Sequence, residues 1–109
     1  MKPRYHVIIP AMPRVFKPAS QPDTFDALLE LIGILRKPDG CPWDAKQTHE
    51  SLKQMLLEEC YETLEAIDSG DPQKLSEELG DLLVHIAFHM RIAEETNQFN
   101  SNNVMESVT

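Results

Sequence analysis

Leu56-Leu57-Glu58-Glu59-Cys60-Tyr61-Glu62, followed by Glu77-Glu78-Leu79-Gly80-Asp81-Leu82-Leu83, decides how this chain is read. Both stretches lie in segments whose apolar residues recur with helical spacing. At about 100° per residue, Glu58, Glu62 and Glu59 fall within roughly one 100° arc, and Glu78 and Asp81 lie about 60° apart. Leu52, Met55, Leu56, Ala66 and Ile67 mark the apolar stripe of the first helix, and Glu59 and Glu62 interrupt it. Leu75, Leu79, Leu82 and Ile86 mark that of the second, with Glu78 beside it. Anions turned toward a low-dielectric core lose hydration and repel one another, so a cation must compensate them. An all-oxygen donor set favours hard Mg²⁺, or Mn²⁺ in its place, over zinc. The plainer alternative is a solvent-facing Glu58/Glu62 pair on an ordinary Glu-rich helix, and periodicity alone does not choose between the two.

Working outward, Ser69-Gly70 stops the first of these helices near Asp68, and Asp71-Pro72 caps and starts the second, which should continue to about Thr96. Upstream, Thr48 is a good N-cap for the helix carrying Glu58, Glu59 and Glu62. An earlier helix begins at Asp23 or Thr24 and carries the stripe Phe25, Leu28, Leu29, Ile32 and Leu35. Lys37-Pro38-Asp39-Gly40 breaks it, and a loop from Cys41 to Gln47 leads to Thr48. Asn100 or Ser101 is a cap for a last, short helix, with an unstructured end as the alternative. The expectation is an all-α antiparallel helical bundle. Two long helices and one shorter one cannot enclose a core, so a homodimer, or a tetramer built from it, should complete the bundle.

Residues 1–22 differ from the rest. Tyr5-His6-Val7-Ile8-Ile9 is a short β-like run, and prolines at positions 3, 10, 13, 18 and 22 exclude a helix. They read as an extended arm or linker, leaving residues 23–109 as the folded domain.

A chain of 109 residues holds one small domain. Its formal net charge of -8 argues against nonspecific binding to nucleic acid or an anionic membrane. No apolar run approaches the roughly 20 residues of a membrane span, and the N-terminus lacks the shape of a signal peptide. Cys41 and Cys60 fit neither a disulfide framework nor a zinc ribbon, which makes the reducing cytoplasm the default setting.

Leu35-Arg36-Lys37-Pro38-Asp39-Gly40-Cys41-Pro42-Trp43-Asp44-Ala45-Lys46-Gln47-Thr48-His49 resembles the signature loop of MazG-type nucleoside triphosphate pyrophosphohydrolases. Glu58-Glu59-Cys60-Tyr61-Glu62 matches that family's Glu-Glu-x-x-Glu motif, and Glu78-Leu79-Gly80-Asp81 its Glu-x-x-Asp motif. The resemblance covers residues about 24 to 109, with three motifs in the right order and spacing. It implies the all-α NTP pyrophosphatase fold, Mg²⁺ dependence and hydrolysis of a nucleoside triphosphate to monophosphate and pyrophosphate. By the same resemblance Glu59, Glu62, Glu78 and Asp81 are the metal ligands, with Glu58 orienting the water or standing behind the ligands. The signature loop should lie near the nucleotide, with Trp43 stacking on the base or plugging the loop onto the bundle, and Asp44 or Gln47 reading the base edge. Arg36, Lys46 and Lys53 are candidate phosphate partners. Two departures stand out: the family's basic C-terminal segment is absent, so the domain reads as truncated, and the N-terminal stretch looks like the close of a tetrapyrrole methylase domain.

Several residues carry competing readings. Glu77 is i, i+4 from Asp81, but the motif aligns on Glu78. Gly80 lowers helix propensity by about 1 kcal/mol, which points to close approach by a backbone or ligand, or to close helix packing. His85 and His89, at i, i+4 with Asp81 one turn before, carry a zinc reading beside that of hydrogen-bonded core histidines. A noncatalytic helical oligomerisation module is the alternative function, but it has no use for acids interrupting two apolar stripes. A carboxylate-bridged di-iron bundle would want Glu-x-x-His pairs, and the motif glutamates offer none.

Overall fold

The computed structural model describes residues 22–108, so the expected arm over residues 1–22 lies outside it except for Pro22. Five helices follow in order: α1 Phe25–Leu35, α2 Pro42–Lys46, α3 Lys53–Ser69, α4 Pro72–Glu95 and α5 Ser101–Glu106. The class is all-α, as the periodicity predicts. Local chemistry accounts for most of the boundaries. Thr24 Oγ1 accepts from the Ala27 amide at 3.0 Å to start α1, and Asp71 Oδ1 accepts from the Gln73 amide at 3.0 Å to start α4 ahead of Pro72. Gly70 ends α3 in the left-handed region at φ 72°. Asn100 and Asn103 cap each other reciprocally at the head of α5, which is helical rather than unstructured.

Two boundaries differ from the sequence reading. The Cys41–Gln47 loop contains the five-residue α2, opened by Pro42 at a position that requires no amide hydrogen. A single turn is too short to show periodicity. Thr48 does exchange capping bonds with Ser51, at 3.0 and 2.8 Å, but the chain turns once more before α3 begins at Lys53. That extra turn drives Leu52, fully buried, into the core.

α4 is the spine. α1 packs along it, as does α3. Leu29, Ile32 and Leu35 of α1 meet Val84, Ala87, Phe88, Met90 and Ile92 of α4, with Cys41 and Leu52 closing the cluster. The N-terminal half of α4 instead faces α3. There the buried positions are not the leucines: Leu79, Leu83 and Ile86 are exposed on α4, as are Leu57, Tyr61, Leu64 and Ile67 on α3. Ile67, Leu79 and Ile86 were read as core stripe and lie outside it. The period was right and the buried arc was displaced, because on these two helices the acids occupy it.

Gly80 is exposed, and a side chain there would meet nothing within van der Waals reach among the described residues, so no helix of the same chain packs closely against it. Gly40 is the crowded glycine. A Cβ there would press into the backbone carbonyls of Ile34 and Leu35. Gly80→Ala should therefore raise stability by about 0.5–1 kcal/mol, as expected for an open helix interior, while Gly40→Ala should lower it. Urea unfolding of both variants reads the two signs.

Candidate metal centre and nucleotide loop

Helical spacing sets the site. On α3 the inward arc runs Leu52, Met55, Leu56, Glu59, Glu62, Thr63, Ala66, and on α4 Glu78 and His85 share the inward face. Glu59 is fully buried, Glu62 is 3% exposed and Glu78 4% exposed. One carboxylate oxygen each from Glu59, Glu78 and Asp81 lies within 4.8 Å of the others, with Asp81 half-buried. Glu58 stands at the edge of the arc, half-buried, and accepts from Gln54 Nε2 at 3.1 Å. Glu77 is exposed and accepts from Gln73, consistent with Glu78 as the inward acid.

Neither carboxylate oxygen of Glu59 has a hydrogen-bond partner among the described residues. Its pKa is pushed up to about 9, first by burial, then by the adjoining carboxyl of Glu78 and the charges of Asp81, Glu78 and Glu62. A divalent cation is the natural counter-charge for such a set, and three carboxylate donors suit a hard ion rather than a soft one. Where a cation binds, it must displace the proton of Glu59.

The loop residues arrange themselves differently from one another. Trp43 is half-buried, its ring edge-on to Phe88 of α4 with centroids 6.4 Å apart. Asp44 is fully buried, and burial raises its pKa against the opposing pull of the Cys41 thiol and the Arg36 charge. Lys46 and Lys53 are exposed, Lys53 facing Glu50 at 3.7 Å. Two of the candidate loop residues are engaged within the chain. Gln47, read as a base-edge reader, has its amide committed: Nε2 donates to the Trp43 carbonyl at 2.9 Å and Oε1 accepts from Ser51 at 2.8 Å. Arg36, read as a phosphate partner, is 6% exposed and donates to Glu95 and to the Asp44 and Gln47 carbonyls. Glu95 was missed, because its partner is 59 residues away and no local pattern marks it.

The histidines form no metal group with the carboxylates among the described residues. His89 Nδ1 lies 2.7 Å from His49 Nδ1 with the rings stacked, and His49 Nε2 lies 3.1 Å from Gln98 Oε1. One ring must donate and the other accept, so the contact requires at least one neutral ring. His85 is 1% exposed, and burial followed by the His89 charge pulls its pKa down to about 4.

A helical hairpin with acids on its inward face, and an aromatic-bearing loop packed against the C-terminal half of its second helix, marks this as an all-α protein with a candidate cation site. The MazG nucleotide pyrophosphohydrolase domain family matches residues 47–109, and this chain belongs to it. It is 48% identical over 84 residues to a Thermotoga maritima protein named nucleoside triphosphate pyrophosphohydrolase/pyrophosphatase MazG, covering 77% of this chain and 33% of that one. It is 47% identical over 85 residues to the uncharacterized Bacillus subtilis protein YabN, covering 78% of this chain and 17% of that one. With an Escherichia coli K12 nucleoside triphosphate pyrophosphohydrolase the figure is 40% over 85 residues, covering 77% and 32%. The chain thus spans a third or less of the length of these relatives.

Because Glu59 is raised above its ordinary 4.5, its contribution to stability is complete below about pH 4.5 and is lost as pH rises toward about 9. The metal-free protein should therefore lose thermal stability across that window, and a saturating divalent cation should restore it at the alkaline end. Calorimetric titration with Mn²⁺ in buffers of different ionisation enthalpy should register proton release near neutral pH. Glu59→Gln should abolish that release.

Proposed function

We propose that residues 23–109 form a domain that hydrolyses nucleoside triphosphates to monophosphate and pyrophosphate with Mg²⁺, or Mn²⁺ in its place, as a cytoplasmic nucleotide-pool house-cleaning activity. The observation that carries this reading is the burial of Glu59, Glu62 and Glu78 beside Asp81 in a member of the MazG family. A divalent cation would offset the cost of ionising Glu59 there, whose carboxyl burial and neighbouring acids hold in the protonated form.

Glu59, Glu62, Glu78 and Asp81 would hold the cation, and Glu58, at the rim with one face toward solvent, would orient the water. Bound there, the cation would neutralise phosphate charge and lower the pKa of a coordinated water. Water adds across the α–β phosphoanhydride bond, so its oxygen stays on one phosphoryl product and a proton is released. Glu58, more exposed than the buried Glu59 and Glu62, would accept that proton. Trp43, on the docked loop, would stack on the base, while exposed Lys46 and Lys53 would offer charge to the phosphates. With a net charge of -8, a divalent cation would bridge the like charges of protein and polyphosphate.

The exposed rows Leu57, Tyr61, Leu64 on α3 and Leu79, Leu83, Ile86 on α4 support self-association as a homodimer, with a tetramer as its extension. Among the described residues no helix is long and apolar enough to cross a membrane, and the free cysteines fit a reducing compartment. A noncatalytic oligomerisation module would use the apolar rows but leave the buried acids without purpose.

Pyrophosphate, not orthophosphate, should be the first product when the common and damaged NTPs are screened with Mg²⁺. Glu62→Gln should remove turnover while circular dichroism stays native, because the loss falls on charge neutralisation in the transition state. Trp43→Ala should instead raise KM with little change in kcat if the indole only holds the base. Orthophosphate released first would exclude the reaction. Sedimentation at micromolar concentration should give at least a dimer of the 12.4 kDa chain.

A further inference from the structure

Arg36 caps the C-terminus of α1, and its guanidinium joins three elements that are distant in sequence. Nε and one terminal nitrogen donate to the two Glu95 oxygens, at the end of α4, at 2.8 and 2.9 Å. The other terminal nitrogen donates to the backbone carbonyls of Asp44 at 2.8 Å and Gln47 at 2.9 Å. Four of the five N–H donors an arginine offers are thereby committed, on a side chain only 6% exposed. The two carbonyls are those at the C-terminal end of α2, the negative end of a helical turn, where a cation is favoured. Gln47 extends the linkage by holding the Trp43 carbonyl, and Trp43 in turn rests edge-on against Phe88 of α4.

We propose that Arg36 and Glu95 form a clasp that sets the position of the Trp43–Asp44 loop, so that both are positioning residues for nucleotide affinity and neither touches phosphate. The link to affinity rests on the reading that this loop holds the base. Bidentate pairing fixes the plane of the guanidinium, and that plane fixes both carbonyls. The guanidinium holds the Glu95 carboxyl below its usual range, so the pair stays charged at neutral pH. Lysine, a point charge with no fork, reproduces the charge but not the geometry.

The clasp and a direct phosphate contact differ in the sign of one experiment. If Arg36 served phosphate, neutralising Glu95 would release it for that role, and Glu95→Gln would preserve or strengthen nucleotide binding. If the clasp positions the loop, Glu95→Gln weakens binding as Arg36→Gln does. Trp43 is the sole tryptophan of the chain, so its emission reports the loop directly. The probes are Mg²⁺ complexes of non-hydrolysable α,β-methylene triphosphates of the common bases, titrated by quenching of that emission.

Both variants should shift Trp43 emission to the red in the absence of nucleotide. Both should weaken analogue binding by about tenfold, the scale of a lost charge-assisted hydrogen bond. Mn²⁺ affinity measured without nucleotide and far-UV circular dichroism should stay at wild-type values, and Arg36→Lys should restore little. Glu95 is half-exposed, so Glu95→Gln keeps the test standing if Arg36→Gln fails to fold. Unchanged emission in Glu95→Gln, or analogue binding as tight as wild type in that variant, overturns the clasp. A wild-type protein that binds no analogue overturns the nucleotide reading instead, and the emission comparison still decides whether Arg36 and Glu95 hold the loop.

Discussion

Taking Glu59, Glu62 and Glu78 out of water between α3 and α4 is the constraint to which the rest of the molecule answers. Carboxylates in a buried cluster repel one another and forgo hydration, and the rise of Glu59 to about 9 expresses both penalties. The hairpin that carries them cannot draw its cohesion from the helix–helix seam along which other antiparallel pairs bury leucines. Stability has to come from elsewhere. It comes from the C-terminal half of α4, where Phe88, Ala87 and Ile92 pack against Leu29, Ile32 and Leu35 of α1.

α4 is accordingly two helices in chemical terms. Its first half presents Glu78 and Asp81 to α3 and leaves Leu79 and Leu83 exposed; its second half carries the core residues Val84, Ala87, Phe88, Met90 and Ile92, with Ile86 exposed. The displacement of apolar side chains to the outside follows from the displacement of acids to the inside, since a helix has one inward arc. The proposed dimer interface and the proposed metal centre are thus two consequences of the same rotation of the hydrophobic stripe.

The loop from Cys41 to Leu52 lies against the C-terminal half of α4. It is short of secondary structure of its own, and single side chains hold it: Arg36 at one end through Glu95, and His49 at the other through His89 and Gln98. Polar contacts at both ends, with Cys41 and Leu52 buried in the core, keep Trp43 in a defined place.

The all-α class, α1, α4 and the turn at Gly70 were legible because their signals are local: caps, breakers and 3.6-residue periodicity lie within a few positions of one another. The acids of the candidate centre were legible for the same reason, as interruptions in a period. What the sequence could not carry were the pairings that span the chain. Ile67, Leu79 and Ile86 read as core because periodicity reports which residues share a face, not which face turns inward. Gly80 read as a close-contact glycine, and only the tertiary structure showed that no described residue of this chain approaches it. The pairing of Arg36 with Glu95 was not legible because the motif says nothing of a partner 59 residues on. By itself, then, the sequence determined helices, their ends and the spacing of the carboxylates, all of which follow from interactions within one or two turns. The tertiary structure decided the inward arc, the orientation of the loop and the partner of each buried charge. Those depend on helices from distant parts of the chain competing for the same interior.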